Sequence, residues 1–463
     1  MKAVWDSELA KCFHADGTVK VKGRELRYTV VSEDTILESE PGKPAGSLFS
    51  YSYFLKDGAK DRPVLFAYNG GPGSSCLYLH MGFLGPWTAA PSEVDFDLTP
   101  PYQAVENQNF LLEYMDIVLV DPVGVGYGRL LDESRSGDFY SIEGDAEAMA
   151  EFISAWTRRH GRQQAPKYLF GESYGTIRSI FAAKYLFERR IHLSGMLMMG
   201  SCLMEGIFPY QKPIEVNVQQ LPSLAAACWY HKRRQQDPQG EHAFIEDAFA
   251  FAEGEYLTAL YQGAALAPER RSAVIEKLSA FTGLEEDYLR RKYLRIDVFD
   301  FNKLLLQEEG KQLSYYDARF TLPAGSDADG RCDAATARMD AMYSALWSGI
   351  ASEKLGIALD REYLASNSAV RAAFSFLTET DPDARLAAAM ARTPQLKLLV
   401  MAGRYDLCTT MGMARYALSR EWVPQERVCL KEYSAGHMAY VDSAVAAQIH
   451  DDILDFFGKE RRE

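Results

Sequence analysis

The sequence predicts an α/β fold, a mostly parallel central sheet with helices on both faces, interrupted by a helical insertion. Three observations predict it. Short apolar runs alternate with helical patterns through the first half, strand signals vanish from about Glu205 to Ser352, and the alternation returns from Glu353 onward. The expected layout is therefore a core in two parts, 1–204 and 353–463, with a cap over 205–352. A chain of 463 residues, 47% hydrophobic and 12% aromatic, can fill a core of that size.

In chain order, the expected strands are Leu26–Ser32, Ser47–Leu55, Pro63–Tyr68, Asp116–Asp121, Lys167–Phe170 and Leu193–Met199. The helix from Ile142 to Arg159 carries Met149, Phe152, Ile153 and Trp156 on one face, Ser141 as its cap, and Glu143 and Asp145 at its positive end. Arg158, Arg159 and Gly161 suit its finish. In the insertion, Pro268 to Phe281 places Val274, Ile275, Leu278 and Phe281 on one face, with Gly283 as terminator, and Thr321–Arg331 reads as an exposed loop. The closing elements are a strand Leu396–Met401, a helix near Thr409–Arg420, a strand Arg427–Tyr433 and an amphipathic helix from Ser443.

Fifty basic against 64 acidic residues give a net charge of −14, which argues against nucleic acid and anionic membrane as partners. No run approaches the roughly 18 apolar residues of a spanning helix, and Met1 to His14 is polar without a cleavage signal, so the expectation is a soluble, cytoplasmic protein. Seven scattered cysteines suggest reduced thiols. No metal-ligand spacing is visible: Asp327-Ala-Asp329-Gly330 lacks the remaining ligands of a calcium loop, and no metal or other cofactor is expected.

The sharpest local pattern is Gly171-Glu172-Ser173-Tyr174-Gly175, between the apolar Tyr168-Leu169-Phe170 and the helical stretch Thr176 to Phe187. In a strand–turn–helix context, G-x-S-x-G is a nucleophile elbow, whose glycines permit a strained turn that exposes the serine oxygen; the bland alternative is an ordinary Gly-rich turn. Serine needs a base held in the right tautomer, and on this fold the chain order is Ser, acid, His. His192 lies before the next strand, His231 and His242 in the insertion, and His450 inside the last helix. His437 lies in the loop between a late strand and that helix, where the base belongs. Asp406, beyond the carboxyl end of the strand from Leu396, is the matching acid, with a helix cap before Leu407 onward as its alternative reading. Tyr68-Asn69-Gly70-Gly71-Pro72-Gly73-Ser74-Ser75 follows an early strand and lacks the G-K-[ST] ending of a phosphate loop. It suits an oxyanion hole made by the N–H groups of Gly71 and Tyr174, or else is a plain turn.

NGGPGSS at 69–75, DPVGVGYG at 121–128, GESYG at 171–175, GRYD at 403–406 and AGHM at 435–438 together resemble the serine carboxypeptidases. The resemblance spans about 60–200 and 395–440 and implies an α/β-hydrolase core with a helical cap. It implies Ser173 as nucleophile, His437 as base, Asp406 as its orienting acid, and Gly71 and Tyr174 as oxyanion donors. Asn69, Gly70 and Glu172 would bind substrate, the carboxyl of Glu172 donating to a peptide's terminal carboxylate when protonated. The implied partners are peptides with a free C-terminus, and a homodimer follows by analogy only.

The sequence departs from the family pattern at three places. Phe83 stands where the family has a second glutamate, Ser74 where it has a disulfide cysteine, and Gly175-Thr176 where many members have Ala-Gly. Phe83 keeps a rival in view, an esterase or acyltransferase with the same triad; a non-catalytic binding role is the second rival. Asp121 precedes the serine and reads as a shaper of the pocket wall. Cys408, close to Asp406, reads as a buried structural thiol.

Overall fold

The computed structural model describes residues 1–6, 8–90, 99–202, 214–233, 240–326 and 333–458. One sheet dominates it, built from β1 (Lys2–Val4), β2 (Cys12–Val21), β3 (Arg24–Glu40), β4 (Lys43–Leu55), β5 (Val64–Tyr68), β6 (Asp116–Asp121), β7 (Arg129–Leu130), β8 (Lys167–Glu172), β9 (Gly195–Met199), β10 (Lys397–Gly403) and β11 (Val428–Tyr433). Their order in space is β1-β3-β4-β6-β5-β8-β9-β10-β11, with β2 on β3 and β7 on β4. From β6 to β11 neighbours run parallel, while β1 to β4 and β7 form an antiparallel extension. The expected mostly parallel centre is present.

Alternation along β5 shows how the layers form. Phe66 and Tyr68 face α1 (Ile142–Arg159) and α2 (Tyr174–Glu188), among Phe152, Trp156 and Ile180. Leu65 and Ala67 face the other layer, with Ile449 and Ile453 of the C-terminal helix Ser443–Phe456. The chain leaves β5 toward β6 on one side, whereas β8, on the other side of β5, leads on to β9. Loops diverging from the carboxyl ends of adjacent parallel strands open a crevice, and both Gly-rich motifs lie there.

Between β9 and β10 lie α3 (Ile214–Cys228), α4 (Pro268–Thr282), α5 (Val298–Leu304), α6 (Ala334–Gly349), α7 (Ser368–Ala373) and other helices. The insertion is not free of strands. Lys311–Leu313 pairs antiparallel with Thr321–Pro323, so the stretch expected as a loop from Thr321 begins as half of a hairpin. Three-residue strands are too short to show a period. Residues 327–331 of that loop, the Asp327/Asp329 pair and the start of the insertion at 205 lie outside the described residues.

The N-terminal strands exceed expectation as well. β3 runs on to Glu40 because its acidic residues are paired: Glu33 holds His160 at 2.9 Å and Arg159 at 2.8 Å, and Asp34 holds Arg361 at 2.9 Å. Cys12, Cys76, Cys202, Cys228, Cys408 and Cys429 are all free thiols. Among the described residues no helix is long and apolar enough to cross a membrane, and no cluster could hold a metal ion.

Candidate active site

Ser173 stands between β8 and α2 at φ 57°, ψ −129°, a conformation that L-residues rarely adopt and that elbows impose. Its backbone is tied down by Ser173 N–H to Met199 C=O at 2.9 Å, and its carbonyl accepts from Thr176 Oγ1 at 2.7 Å. Close packing explains the flanking glycines: a Cβ on Gly171 would lie 2.3 Å from the Gly175 carbonyl oxygen, and one on Gly175 would lie 2.9 Å from that of Tyr68.

Asp406 is wholly buried beyond the end of β10. Oδ1 accepts from the N–H groups of Cys408 (2.8 Å) and Thr409 (2.9 Å), closing a turn, while Oδ2 accepts from Thr409 Oγ1 at 2.6 Å and pairs with His437 Nδ1 at 2.7 Å. The expected helix cap is not formed: the helix that follows, α8 (Met411–Leu418), begins only after Thr410, beyond reach of a cap from Asp406. Burial disfavours the charged imidazole, but the charge and hydrogen bond of Asp406, with Glu172 and Asp333 further off, lift His437 above its ordinary value. With Nδ1 committed to Asp406, Nε2 is the nitrogen left to act as base. His437 also packs against Tyr316, their rings 5.2 Å apart, and donates its backbone N–H to the Tyr316 carbonyl at 2.7 Å. Ser173 and His437 line one cleft of about 760 Å³ with Asn69, Gly70, Gly71 and Glu172. Among the described residues no hydrogen bond joins Ser173 to His437; such contacts commonly close only with substrate in place.

The glycine loop is fitted against the elbow. A Cβ on Gly70 would sit 2.4 Å from the Tyr174 backbone nitrogen and 2.7 Å from the Glu172 carbonyl, so Gly70 is where the two turns meet. Gly71, at φ 104°, has no partner for its N–H among the described residues, and the Tyr174 N–H is at the first position of α2, where no intrahelical acceptor exists. Gly71 lines the cleft, and Tyr174 directly follows Ser173, which also lines it. Asp121 braces this loop from behind: wholly buried, it accepts from Cys76 N–H at 2.9 Å, Tyr51 Oη at 2.8 Å and Tyr127 N–H at 3.2 Å.

Glu172 is buried, not solvated. Oε1 accepts from Asn69 Nδ2 at 2.7 Å, Oε2 has no partner, and burial pushes the carboxyl up to about 7. The Tyr440 hydroxyl faces it, also without a closed hydrogen bond. Tyr440 stacks on Phe83 with centroids 6.0 Å apart, and Gly82 has no room for a Cβ, which would meet the Tyr440 ring at 2.4 Å.

Several supports escaped the sequence reading. Asp145, expected only to complement a helix dipole, pairs with buried Arg178 at 2.7 Å and accepts from Tyr174 Oη at 2.9 Å; Arg178 donates on to the Asn69 carbonyl at 2.6 Å. This buried relay fixes Tyr174 and Asn69 together. Thr409, Tyr316, Tyr440 and Arg371 were likewise missed. Only the i+3 spacing of Thr409 from Asp406 was a local signal.

A parallel sheet crossed by helices, with a strained serine at its crevice, defines an α/β hydrolase. Residues 41–237 match the family model described as serine carboxypeptidase. Among solved structures, it is similar to Kex1(delta)p, a prohormone-processing carboxypeptidase from Saccharomyces cerevisiae. The TM-score is 0.59 at 12% identity, covering 96% of this chain and 91% of that one, and it shows the shared fold. The epoxide hydrolase of Aspergillus niger is more distant, with a TM-score of 0.37 at 11% identity over 92% of this chain and 78% of that one. Asp406 and His437 lie beyond the matched stretch and join it through the fold.

Proposed function

We propose that this chain is an active serine-type carboxypeptidase that removes C-terminal amino acids from peptides. The observation that carries the reading is the pairing of Asp406 with His437 at 2.7 Å, in the same cleft as a strained Ser173. Ser173 Oγ attacks the last peptide carbonyl as His437 Nε2 takes its proton, and the Gly71 and Tyr174 N–H groups receive the oxyanion. The imidazolium, held by Asp406, then gives the proton to the departing amine, and water, activated by the same imidazole, releases the acyl group. Asn69 and a protonated Glu172 face the leaving residue's carboxylate. Residues 205–352 act as the cap that walls the cleft, carried by a core of 1–204 and 353–463. The free thiols fit a reducing compartment, the cytoplasm.

The test is release of the last residue from an N-blocked dipeptide, beside its C-terminal amide, by the full chain and Ser173→Ala. Cleavage of the acid but not the amide is expected, with turnover falling on the order of a millionfold in the variant. A second reading, an esterase or acyltransferase, is favoured by Phe83, buried and stacked on Tyr440 where a second carboxyl would be needed to share a proton with Glu172. Hydrolysis of a simple ester through Ser173, with both peptides untouched, would select it.

A further inference from the structure

The cleft has a second wall whose charge the proposed reaction leaves unused. Arg371, on α7, lines it, and its guanidinium faces the Tyr316 hydroxyl, one ring away from His437. It makes no ion pair with any carboxylate among the described residues. The other cation of the cleft, exposed Lys303 on α5, has none either. The cleft's carboxyls are engaged elsewhere. Asp333 caps α6 and accepts from Ser314 Oγ at 2.7 Å and Tyr315 N–H at 2.7 Å, Asp340 accepts from the Tyr78 hydroxyl, and Glu172 accepts from Asn69. A guanidinium without an anion, beside the base of a hydrolase, is set to take one from a substrate.

The side chain is exposed, but the backbone that carries it is tied to the glycine loop. The residue that caps α7, Asn367, donates its N–H to the Gly73 carbonyl at 2.8 Å and its side-chain amide to the Gly124 carbonyl at 2.9 Å. A Cβ on Gly73 would lie 2.7 Å from the Asn367 carbonyl, so the glycine loop and the start of α7 are in direct contact. The helix that carries Arg371 and the glycine loop are therefore positioned together. Arg371 neighbours Tyr316 and the Gly73 end of the glycine loop, whereas Glu172 is held by Asn69 at the loop's start and faces Tyr440. The two groups are thus set against different ends of that loop.

We propose that Arg371 reads a carboxylate on the acyl side of the cut, so that the preferred substrates carry an acidic residue just before the one removed. This rests on the carboxypeptidase reading for which residue leaves, but on Ser173 alone for the acyl pocket. The acyl pocket can therefore be tested with N-acetyl-glutamyl and N-acetyl-glutaminyl α-methyl esters, which have no terminal carboxylate. The quantity measured is the ratio of kcat/KM for the two, in the full chain, Arg371→Ala and Arg371→Lys, with fluorophosphonate labelling of Ser173 confirming an assembled site. A glutamyl preference of roughly tenfold or more is expected, as for a charge-assisted hydrogen bond, falling toward one in Arg371→Ala and lying between in Arg371→Lys. In the unsubstituted chain the preference should shrink as salt is added. A ratio near one in the unsubstituted chain, or a preference that survives Arg371→Ala, overturns the proposal. So does a variant that instead stops distinguishing the blocked dipeptide acid from its amide, since Arg371 would then read the terminal carboxylate. If the esters are discriminated and no peptide is cut, the carboxypeptidase reading fails and this one stands.

Discussion

Two buried carboxyls flank the serine, and their surroundings differ in kind. Asp406 has two backbone N–H groups, a threonine hydroxyl and an imidazole around it, so both oxygens are occupied. Glu172 has one amide on one oxygen and nothing closed on the other. Burial costs both groups the solvation of their charge, but only Asp406 is repaid in hydrogen bonds. Equal burial therefore leaves a fully hydrogen-bonded carboxyl on the histidine side and, on the other, one that burial pushes up to about 7. The first is suited to holding a tautomer, the second to donating to an anion and letting it go.

The largest effect should come from breaking the saturated side. Asp406→Asn keeps the shape but presents an amide to His437, favouring the wrong tautomer, and kcat is expected to fall about 10⁴-fold with Ser173 still in place. Titration of Ser173 with a fluorophosphonate, slow in the variant but complete, would separate lost activation from lost folding. Next comes the brace behind the other wall. Arg178→Met leaves Asp145 buried without its cation, and chemical denaturation should show a loss of about 3–5 kcal/mol. A loss below about 1 kcal/mol would mean water reaches Asp145.

The pH profile sharpens the contrast directly. Activity rises as His437 loses its proton, with a midpoint above the ordinary value of 6.5, because Asp406 and Glu172 favour the imidazolium over its burial cost. With free-acid peptides it falls again as Glu172 ionises near 7, since a carboxylate can neither donate to nor tolerate the substrate's own. A narrow bell follows for kcat/KM. Glu172→Gln should remove the alkaline limb and, by deleting an anion near His437, move the acid limb down. Ester substrates should show no alkaline limb even in the unsubstituted chain. A bell of equal width for esters and acids would separate Glu172 from carboxylate recognition.

How much of this was legible follows the range of each interaction. The elbow, the glycine loop and the order of Ser173, Asp406 and His437 depend on strand ends and turns, which local sequence encodes. β6 and α1 match their expected spans at both ends. β2 also had a signal, Phe13, Ala15, Val19 and Val21 alternating with Cys12, His14, Asp16, Thr18 and Lys20, but its outward face is exposed and mostly polar, and no strand was expected there. The acidic run in β3 looked like a loop because the pairs that satisfy it come from residues more than a hundred positions away. Arg178 with Asp145, and Arg371 beside Tyr316, have the same character: each is an ordinary helix residue until the tertiary fold sets it against its partner.

The smallest expected effect isolates the open oxygen of Glu172. Tyr440 is held by its ring, stacked on Phe83 and lodged against Gly82, while its hydroxyl faces Glu172 without a closed bond. Tyr440→Phe keeps the packing and removes only that dipole. An unpaired buried hydroxyl contributes little to stability, so the variant should unfold within about 0.5 kcal/mol of the unsubstituted chain. The hydroxyl does favour the ionised carboxyl, however, so its loss should move the alkaline limb of free-acid hydrolysis to higher pH by a fraction of a unit. The acid limb, set mainly by Asp406, should stay where it is. A stability loss well beyond 1 kcal/mol would show that the Glu172–Tyr440 hydrogen bond closes in solution. Glu172 would then be a satisfied structural group like Asp406, and the contrast between the two walls would disappear.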